Sequence, residues 1–474
     1  MITALPTITD EFHGDSLYGL TVAVNLLANI IVIVAAAIAA DRHGPGRPFI
    51  VCAAVFIAGL LVSGAAPGMG MVILGRILQG SGVGGFVTLA YVAVSRGIRE
   101  ERQATAFAVM SAGWVLPSLI APALAGWITE QFGWRWVFYG IVPIVAGFGA
   151  FVAPMLLRLP AATGFRDVID SAAASEPAAS EPPTSEPPTS EPPTSVSVAL
   201  DQSAFDPPTE RRRLGAAIRL AGGLGVALWG ITLDRWLYVA PLAIAGAAVA
   251  ISGSRVLYPS GVARATRGLP AVFSVRLIAT MAFIGVESFL PLAADRLHGV
   301  GPIAQGMVII GAAVTWTIGQ ALAARWRTNG RCNDAQLIRM GFAVMAVGIA
   351  SSMTILRSSI PLAVTFCTWS ITGFGTGMLL GPTTVRALAL APEGHDGIVS
   401  SQISLSDSIG FATMGGIGGA MIALADRDTF SLRTAIVLNA AIAASLAVLG
   451  AVISPRVLAP QETGTASTAQ SART

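Results

Sequence analysis

Thirteen stretches of mainly apolar residues run through this chain: 18–40, 49–66, 70–94, 104–128, 136–157, 214–231, 236–252, 271–292, 303–324, 337–356, 361–389, 398–424 and 434–454. A helix needs about 20 such residues to cross a bilayer core, because its backbone polar groups must all be satisfied internally. Membrane barrels use alternating segments of roughly ten residues, so runs of this length exclude one. Composition agrees, with 12% charged and 54% hydrophobic residues over 474 positions, about half the charge of an ordinary soluble surface. The runs predict an all-α polytopic membrane protein.

Arginine placement predicts the orientation. One set of alternating loops holds Arg42 and Arg47, Arg96 to Arg102, Arg211 to Arg213 and Arg325 to Arg339, among others. The opposite set holds Arg135, Arg235, Arg296, Arg357, Arg427 and Arg433. Cytoplasmic loops carry the excess of positive charge, so the first set is expected in the cytoplasm. The charges expected inside the spans are chiefly Arg76, Glu287 and Asp407, and the pair 214–231 and 236–252 is the weakest because it is short and contains Arg219.

A break in composition divides the chain. Residues 159–212 include EPAAS at 176–180 and EPPTS at 181–185, 186–190 and 191–195. So proline-rich and acidic a stretch cannot bury enough apolar area to offset its ordering entropy. It reads as a disordered cytoplasmic linker. The expected organisation is an N-terminal bundle over 1–158, two further helices over 213–253, a C-terminal bundle over 270–455 and a disordered cytoplasmic tail over 456–474. Met1 to Ile8 (MITALPTI) reads as the last turns of a helix whose beginning is missing, which makes the first helix incomplete.

Several chemistries are excluded. Cys52, Cys332 and Cys367 have unrelated spacings, and the four histidines lie far apart. No metal site, disulfide scaffold or histidine catalysis follows. A net charge of +3 gives no reason to expect nucleic acid. There is no G-x-x-x-x-G-K-[ST] loop for ATP, no cofactor is expected, and no clustered nucleophile or base suggests an enzyme.

Three segments carry motifs. The loop Asp41-Arg42-His43-Gly44-Pro45-Gly46-Arg47 joins glycines that allow a tight reversal to charges that can lock one conformation. Gly75-Arg76-Ile77-Leu78-Gln79-Gly80 puts an arginine and a glutamine inside a span, which is costly unless they face protein or water. Gly113, Pro117, Ala121-Pro122 and Ala125-Gly126 form a small-residue and proline pattern suited to close packing and bending.

Together these segments resemble the major facilitator superfamily. The loop at 41–47 is similar to its signature between the second and third helices, with an extra Pro45-Gly46 step. Arg76-x-x-Gln79-Gly80 resembles the fourth-helix signature. Residues 121–126 resemble the antiporter signature G-P-x-x-G-G of the fifth helix, with Ala121 and Ala125 in place of glycine. Gly133 to Phe138 resembles the start of the sixth helix, Ser400 to Gly410 that of the eleventh, and Met1 to Ile8 the end of the first. The two additional spans point to the 14-helix drug:proton antiporter group. The resemblance implies two pseudo-symmetric six-helix bundles plus two extra helices. By the same resemblance Asp41, Arg42, Gly44 and Arg47 form a conformational latch, Arg76 tunes proton coupling with Gln79 beside it, and Pro122 and Gly126 shape the seal between halves.

Glu287 and Asp407 are acids well inside spans, each a coupling or substrate group or else structurally paired. Trp229, Phe283, Trp316, Gln320 and Trp369 either line an amphipathic cavity or pack within the bundles. The expected function is proton-coupled export of hydrophobic or amphipathic small molecules, a drug-resistance efflux activity, by a monomer in a bacterial plasma membrane. Its expected partners are a small-molecule substrate, protons and the lipid bilayer. A transporter of one metabolite or lipid, or a non-transporting sensor, is the alternative.

Overall fold

Without water to satisfy backbone groups, long apolar runs fold into helices that close their own hydrogen bonds, and no strand occurs among the described residues. A computed structural model describes residues 8, 11–12, 18–161, 208–231, 236–300, 302–392, 394–426 and 431–458. The N-terminal half contains α1 (Tyr18–His43), α2 (Gly46–Gly64), α3 (Met69–Gly97), α4 (Glu100–Phe132), the short α5 (Arg135–Tyr139) and α6 (Ile141–Leu156). After the linker come α7 (Glu210–Ile231) and α8 (Trp236–Leu257). The C-terminal half contains α9 (Leu269–Glu287), α10 (Leu290–His298), α11 (Pro302–Thr328), α12 (Asp334–Ser352), α13 (Leu362–Ala389), α14 (Asp396–Asp426) and α15 (Leu432–Ile453). The start of the chain other than Ile8, Glu11 and Phe12, most of the linker and the tail after 458 lie outside the described residues.

Ten segments among the described residues are long and apolar enough to cross a membrane. Helices α4, α7 and α14 also have the length to span. Two of the expected single spans are interrupted. The run 136–157 bends at Gly140, between α5 and α6, and the run 271–292 breaks at Ser288-Phe289, between α9 and α10. A proline follows each break: Pro143 stands four residues after Tyr139, and Pro291 four residues after Glu287. A proline ring removes the i to i−4 hydrogen bond and collides with that carbonyl, which accounts for both interruptions.

The two halves share a packing device. In α3 the sequence Gly80-Ser81-Gly82-Val83-Gly84 presents glycines two apart, hence on opposite faces of the helix. A β-carbon on Gly80 or Gly84 would meet the backbone of Asn25 or Asn29 in α1, and one on Gly82 would meet Phe56 and Cys52 in α2. In α13, Gly373-Phe374-Gly375-Thr376-Gly377 repeats this spacing. Gly373 and Gly377 abut the backbone of Ala312 and Trp316 in α11, while Gly375 abuts Gly341 and Met345 in α12. Thus α1, α2 and α3 recur as α11, α12 and α13.

The halves meet along two seams. On one, α1 and α3 pack against α14; on the other, α4 packs against α11 and α13. The α7–α8 pair lies along the first seam, where Ile30, Ile33 and Val34 of α1, Ala216, Ala217 and Leu220 of α7, Leu257 of α8 and Leu405 of α14 form one apolar cluster. At the arginine-poor end, Glu11 accepts hydrogen bonds from Trp134 Nε1 at 2.6 Å and Arg135 Nη1 at 3.1 Å. The Trp134 hydrogen bond first, and then Arg135, hold its carboxyl below the ordinary glutamate range.

Bulk added at the shared glycines should cost stability. Gly80→Leu and Gly377→Leu are each expected to lower stability by about 1–3 kcal/mol, as overpacking does. Gly222→Ala, where an added β-carbon meets nothing within 4 Å, should leave the unfolding temperature of the purified protein unchanged. Thermal unfolding in detergent checks all three.

Candidate functional site

Few polar side chains remain inside a bundle this apolar, so their partners define the site. At the arginine-rich end, the C-terminus of α1 brings Asp41 to Arg96 in the last turn of α3, with Asp41 Oδ1 at 2.8 Å from Arg96 Nη2. The same oxygen accepts the backbone N–H of Gly397, in the first turn of α14, at 3.1 Å. A carboxylate is well placed there, since the unpaired amides of a helix N-terminus carry partial positive charge. Arg96 also reaches Asp396 Oδ2 at 3.5 Å and the carbonyls of Ala40 and Pro160, and Ser95 Oγ donates to Asp396 Oδ1 at 3.1 Å. Gly44 has a φ of +75°, and a β-carbon there would lie 2.8 Å from the Leu159 carbonyl. Arg42 pairs with Glu210 at the start of α7, and Arg47 is exposed.

Deeper along α14, Asp407 faces Arg276 of α9. Arg276 Nε donates to Asp407 Oδ1 and Nη2 to Oδ2, both at 2.7 Å, a two-pronged match between planar groups. Nη1 donates to the Leu380 carbonyl and to Thr384 Oγ1, each at 3.0 Å. Nη2 also reaches the hydroxyl of Tyr91, on α3 of the opposite half, at 3.4 Å. These acceptors account for the five N–H donors of a guanidinium. Thr280 Oγ1 adds a bond to Asp407 Oδ1 at 2.9 Å. The Arg276 side chain is 7% exposed and that of Asp407 28%. Between the two clusters and beyond them, Ser95, Tyr91 and Thr88 follow one stripe of α3, and Thr88 Oγ1 lies 3.3 Å from Ser404 Oγ of α14. The α3–α14 seam is therefore held by a ladder of polar contacts starting at the arginine-rich end.

Arg76 and Gln79 form a separate network inside the N-terminal half. Arg76 Nη1 donates to Gln79 Oε1 at 3.1 Å, and Gln79 Nε2 donates to the Gly59 carbonyl and Ser63 Oγ of α2. Asn25 of α1 donates to the Arg76 carbonyl at 2.9 Å. Pro122 and Gly126 fall within α4, but the surroundings of their side chains lie outside the described residues.

The structure does not bring Glu287 and Asp407 together. Glu287 is seven residues beyond Thr280 on α9, about 10 Å farther from the arginine-rich end. It is half-buried at the break before α10, and no ion pair or hydrogen bond engages it among the described residues. Phe283, one turn earlier, stacks on Trp369 at 5.2 Å and meets Trp316 edge-on at 5.3 Å. Three of the predicted aromatic and amide group thus share one cluster, but Trp369 is fully buried and Phe283 nearly so. Gln320 instead lines a water-sized void of about 10 Å³ with Ala104, Arg327 and Pro382. Trp229 is 58% exposed on α7.

Arg276 was not among the expected site residues, although it stands inside the expected span 271–292 and the cost of a buried arginine that singles out Arg76 applies equally to it. The charges inside the spans therefore number at least one more than the three expected. Arg96 was read as loop charge, and Asp396, Tyr91, Thr280 and Thr384 carried no signal before the helices were placed together.

Residues 1–326 match the family model described as the Major Facilitator Superfamily. A protein of Mycobacterium tuberculosis (strain ATCC 25618 / H37Rv) named a probable multidrug-efflux transporter is 24% identical over 426 residues, covering 89% of this chain and 83% of that protein. An MFS-type transporter of the acurin A biosynthesis cluster in Aspergillus aculeatus is 31% identical over 157 residues, 33% of this chain and 28% of that protein. In three dimensions the chain is similar to the human organic anion transporter MFSD10, with a TM-score of 0.61 at 12% identity over 92% of this chain and 84% of that one. It is equally similar to the proton:xylose symporter XylE, with a TM-score of 0.61 at 15% identity over 96% of this chain and 92% of that one. These matches, on a helical framework built from two related halves, make the chain a multi-pass membrane transporter that belongs to the major facilitator superfamily.

Proposed function

We propose that the protein is a secondary active transporter that exports hydrophobic or amphipathic small molecules in exchange for protons, by alternating access of its two halves. In this reading it works as a monomer in a bacterial plasma membrane. The arginine-rich end faces the cytoplasm, and so do the linker and the C-terminal tail. The polar contacts of α1 and α3 with α14 lie toward that end, which corresponds to a state closed to the cytoplasm. Asp41 is the centre of the latch, with Arg96, Asp396 and the amide of Gly397 as its partners; Gly44 gives the turn its shape.

The observation that carries the coupling is Asp407 bound to a fully engaged Arg276 that also touches Tyr91 across the seam. A proton added to Asp407 cancels the charge that holds the guanidinium. Arg276 must then shift to other acceptors, and its contact with Tyr91 shifts with it. Proton binding thereby acts on the α3–α14 seam. Glu287, with no partner among the described residues at the α9 break, serves as the second acid, on the path of substrate or proton. The multidrug and efflux names of the relatives support the export direction.

Inverted vesicles containing the protein are expected to accumulate apolar dyes when a pH gradient, acid inside, is imposed. No gradient-driven uptake across a dye and drug panel would count against antiport. Asp407→Asn should abolish gradient-driven uptake, and Glu287→Gln should do the same at unchanged expression; normal proton-coupled transport by either variant would remove that residue from the scheme. Arg276→Ala should lower stability by about 3 kcal/mol because it strands a carboxylate, whereas the double variant Arg276→Ala/Asp407→Ala should lose much less. Thermal unfolding of the purified variants measures the difference.

A further inference from the structure

The accessory helices α7 and α8 touch both halves at the end where the latch closes. On the α1 side, Glu210 in the first turn of α7 pairs with Arg42 through two 2.6 Å contacts. Arg213, one turn later and buried, lies in the electrostatic field of both Asp41 and Glu210. On the α14 side, Gln402 Nε2 donates to the carbonyl of Leu257, the last residue of α8, at 2.7 Å. The hydroxyl of Tyr258 donates to the Gln402 carbonyl at 3.1 Å and lies 2.9 Å from Ser406 Oγ, beside Asp407. Its ring packs edge-on against Phe273 of α9 at 5.7 Å.

The pair itself is stiff. Gly223 and Gly246 bring the two helix backbones together near their middle, and Gly253 does so near the arginine-rich end. One rigid two-helix unit therefore holds α1 with one leg and α14 with the other, in parallel with the Asp41–Gly397 and Arg96–Asp396 contacts.

We propose that α7 and α8 form a clasp across the α1–α14 seam, with Glu210 and Tyr258 as positioning residues that hold the arginine-rich end closed. The seam cannot part while both legs are bound. On the α1 leg the Arg42–Glu210 pair, with side chains 58% and 42% exposed, is weak on its own, and the packing of Ile30, Ile33 and Val34 on Ala216, Ala217 and Leu220 reinforces it. The buried Gln402–Leu257 and Tyr258–Ser406 contacts keep the clasp on the C-terminal half. This inference rests on the alternating-access reading, but its test does not require a transported compound.

The test uses the full-length protein in proteoliposomes with Cys332→Ser, Cys367→Ser and Ser404→Cys, so that a maleimide reports how often the Thr88–Ser404 contact opens. Cys52, buried between α2 and α3, is retained as a reporter of unfolding. In this background Glu210→Gln should raise the labelling rate at position 404 about two- to five-fold. Tyr258→Phe should raise it about five-fold, as loss of one buried hydrogen bond does. The swap Arg42→Glu/Glu210→Arg should return the rate toward that of the parent. Labelling of Cys52 should not change. Unchanged rates at 404 in both single variants, with Asp41→Asn raising the rate, would overturn the clasp and leave the latch standing. A parallel rise at Cys52 would mean general loosening and would equally overturn it. If Asp41→Asn also leaves the rate unchanged, the latch reading falls and the clasp with it.

Discussion

Once each helix has satisfied its own backbone, apolar surroundings give helices little reason to prefer one another over lipid. Close approach and the few remaining polar groups must then decide the architecture. Both contributions are visible here. The Gly-x-Gly-x-Gly runs of α3 and α13 let each helix press against two neighbours at once, which builds equivalent three-helix units in the two halves. Within these three-helix units backbone contact and dispersion dominate, and buried polar networks such as Arg76–Gln79 add to them.

Association between the halves is of another kind. Along α1, α3 and α14 it depends on charge and hydrogen bonding, from Asp41–Gly397 and Arg96–Asp396 at the arginine-rich end to Thr88–Ser404 and Tyr91–Arg276 farther in. Contacts of this type can be remade when a proton or a substrate changes the local charge, whereas glycine-mediated packing cannot. The division of labour suits two bodies that keep their shape while the seam between them rearranges.

Much of this was legible in the sequence, and the failures have physical causes. The helical spans followed from apolar length, and the motif at 41–47 pointed to Asp41 as a charged group at a helix end. What a linear reading cannot supply is the partner: Asp41 and Gly397 are 356 positions apart, Asp407 and Arg276 131. The α9 break was signalled by Pro291, yet an apolar run continuing past it reads as one helix because hydropathy ignores hydrogen bonding. Phe283, Trp316 and Trp369 were recognisable as a group, but periodicity does not tell a cavity wall from a packed core. The role of α7 was hidden in its first turns: Glu210 and Arg213 read as loop charge beside a span, yet Glu210 pairs with Arg42 and Arg213 lies in the field of Asp41.

The interruption after Glu287 has a consequence for hydration. Pro291 has no N–H, so the carbonyl of Glu287 cannot find its helical donor, and the carboxylate of the same residue has no side-chain partner among the described residues. Two acceptors at one level of α9 need donors that hydrocarbon does not contain. Water descending from the arginine-poor face to the elbow between α9 and α10 would supply both donors.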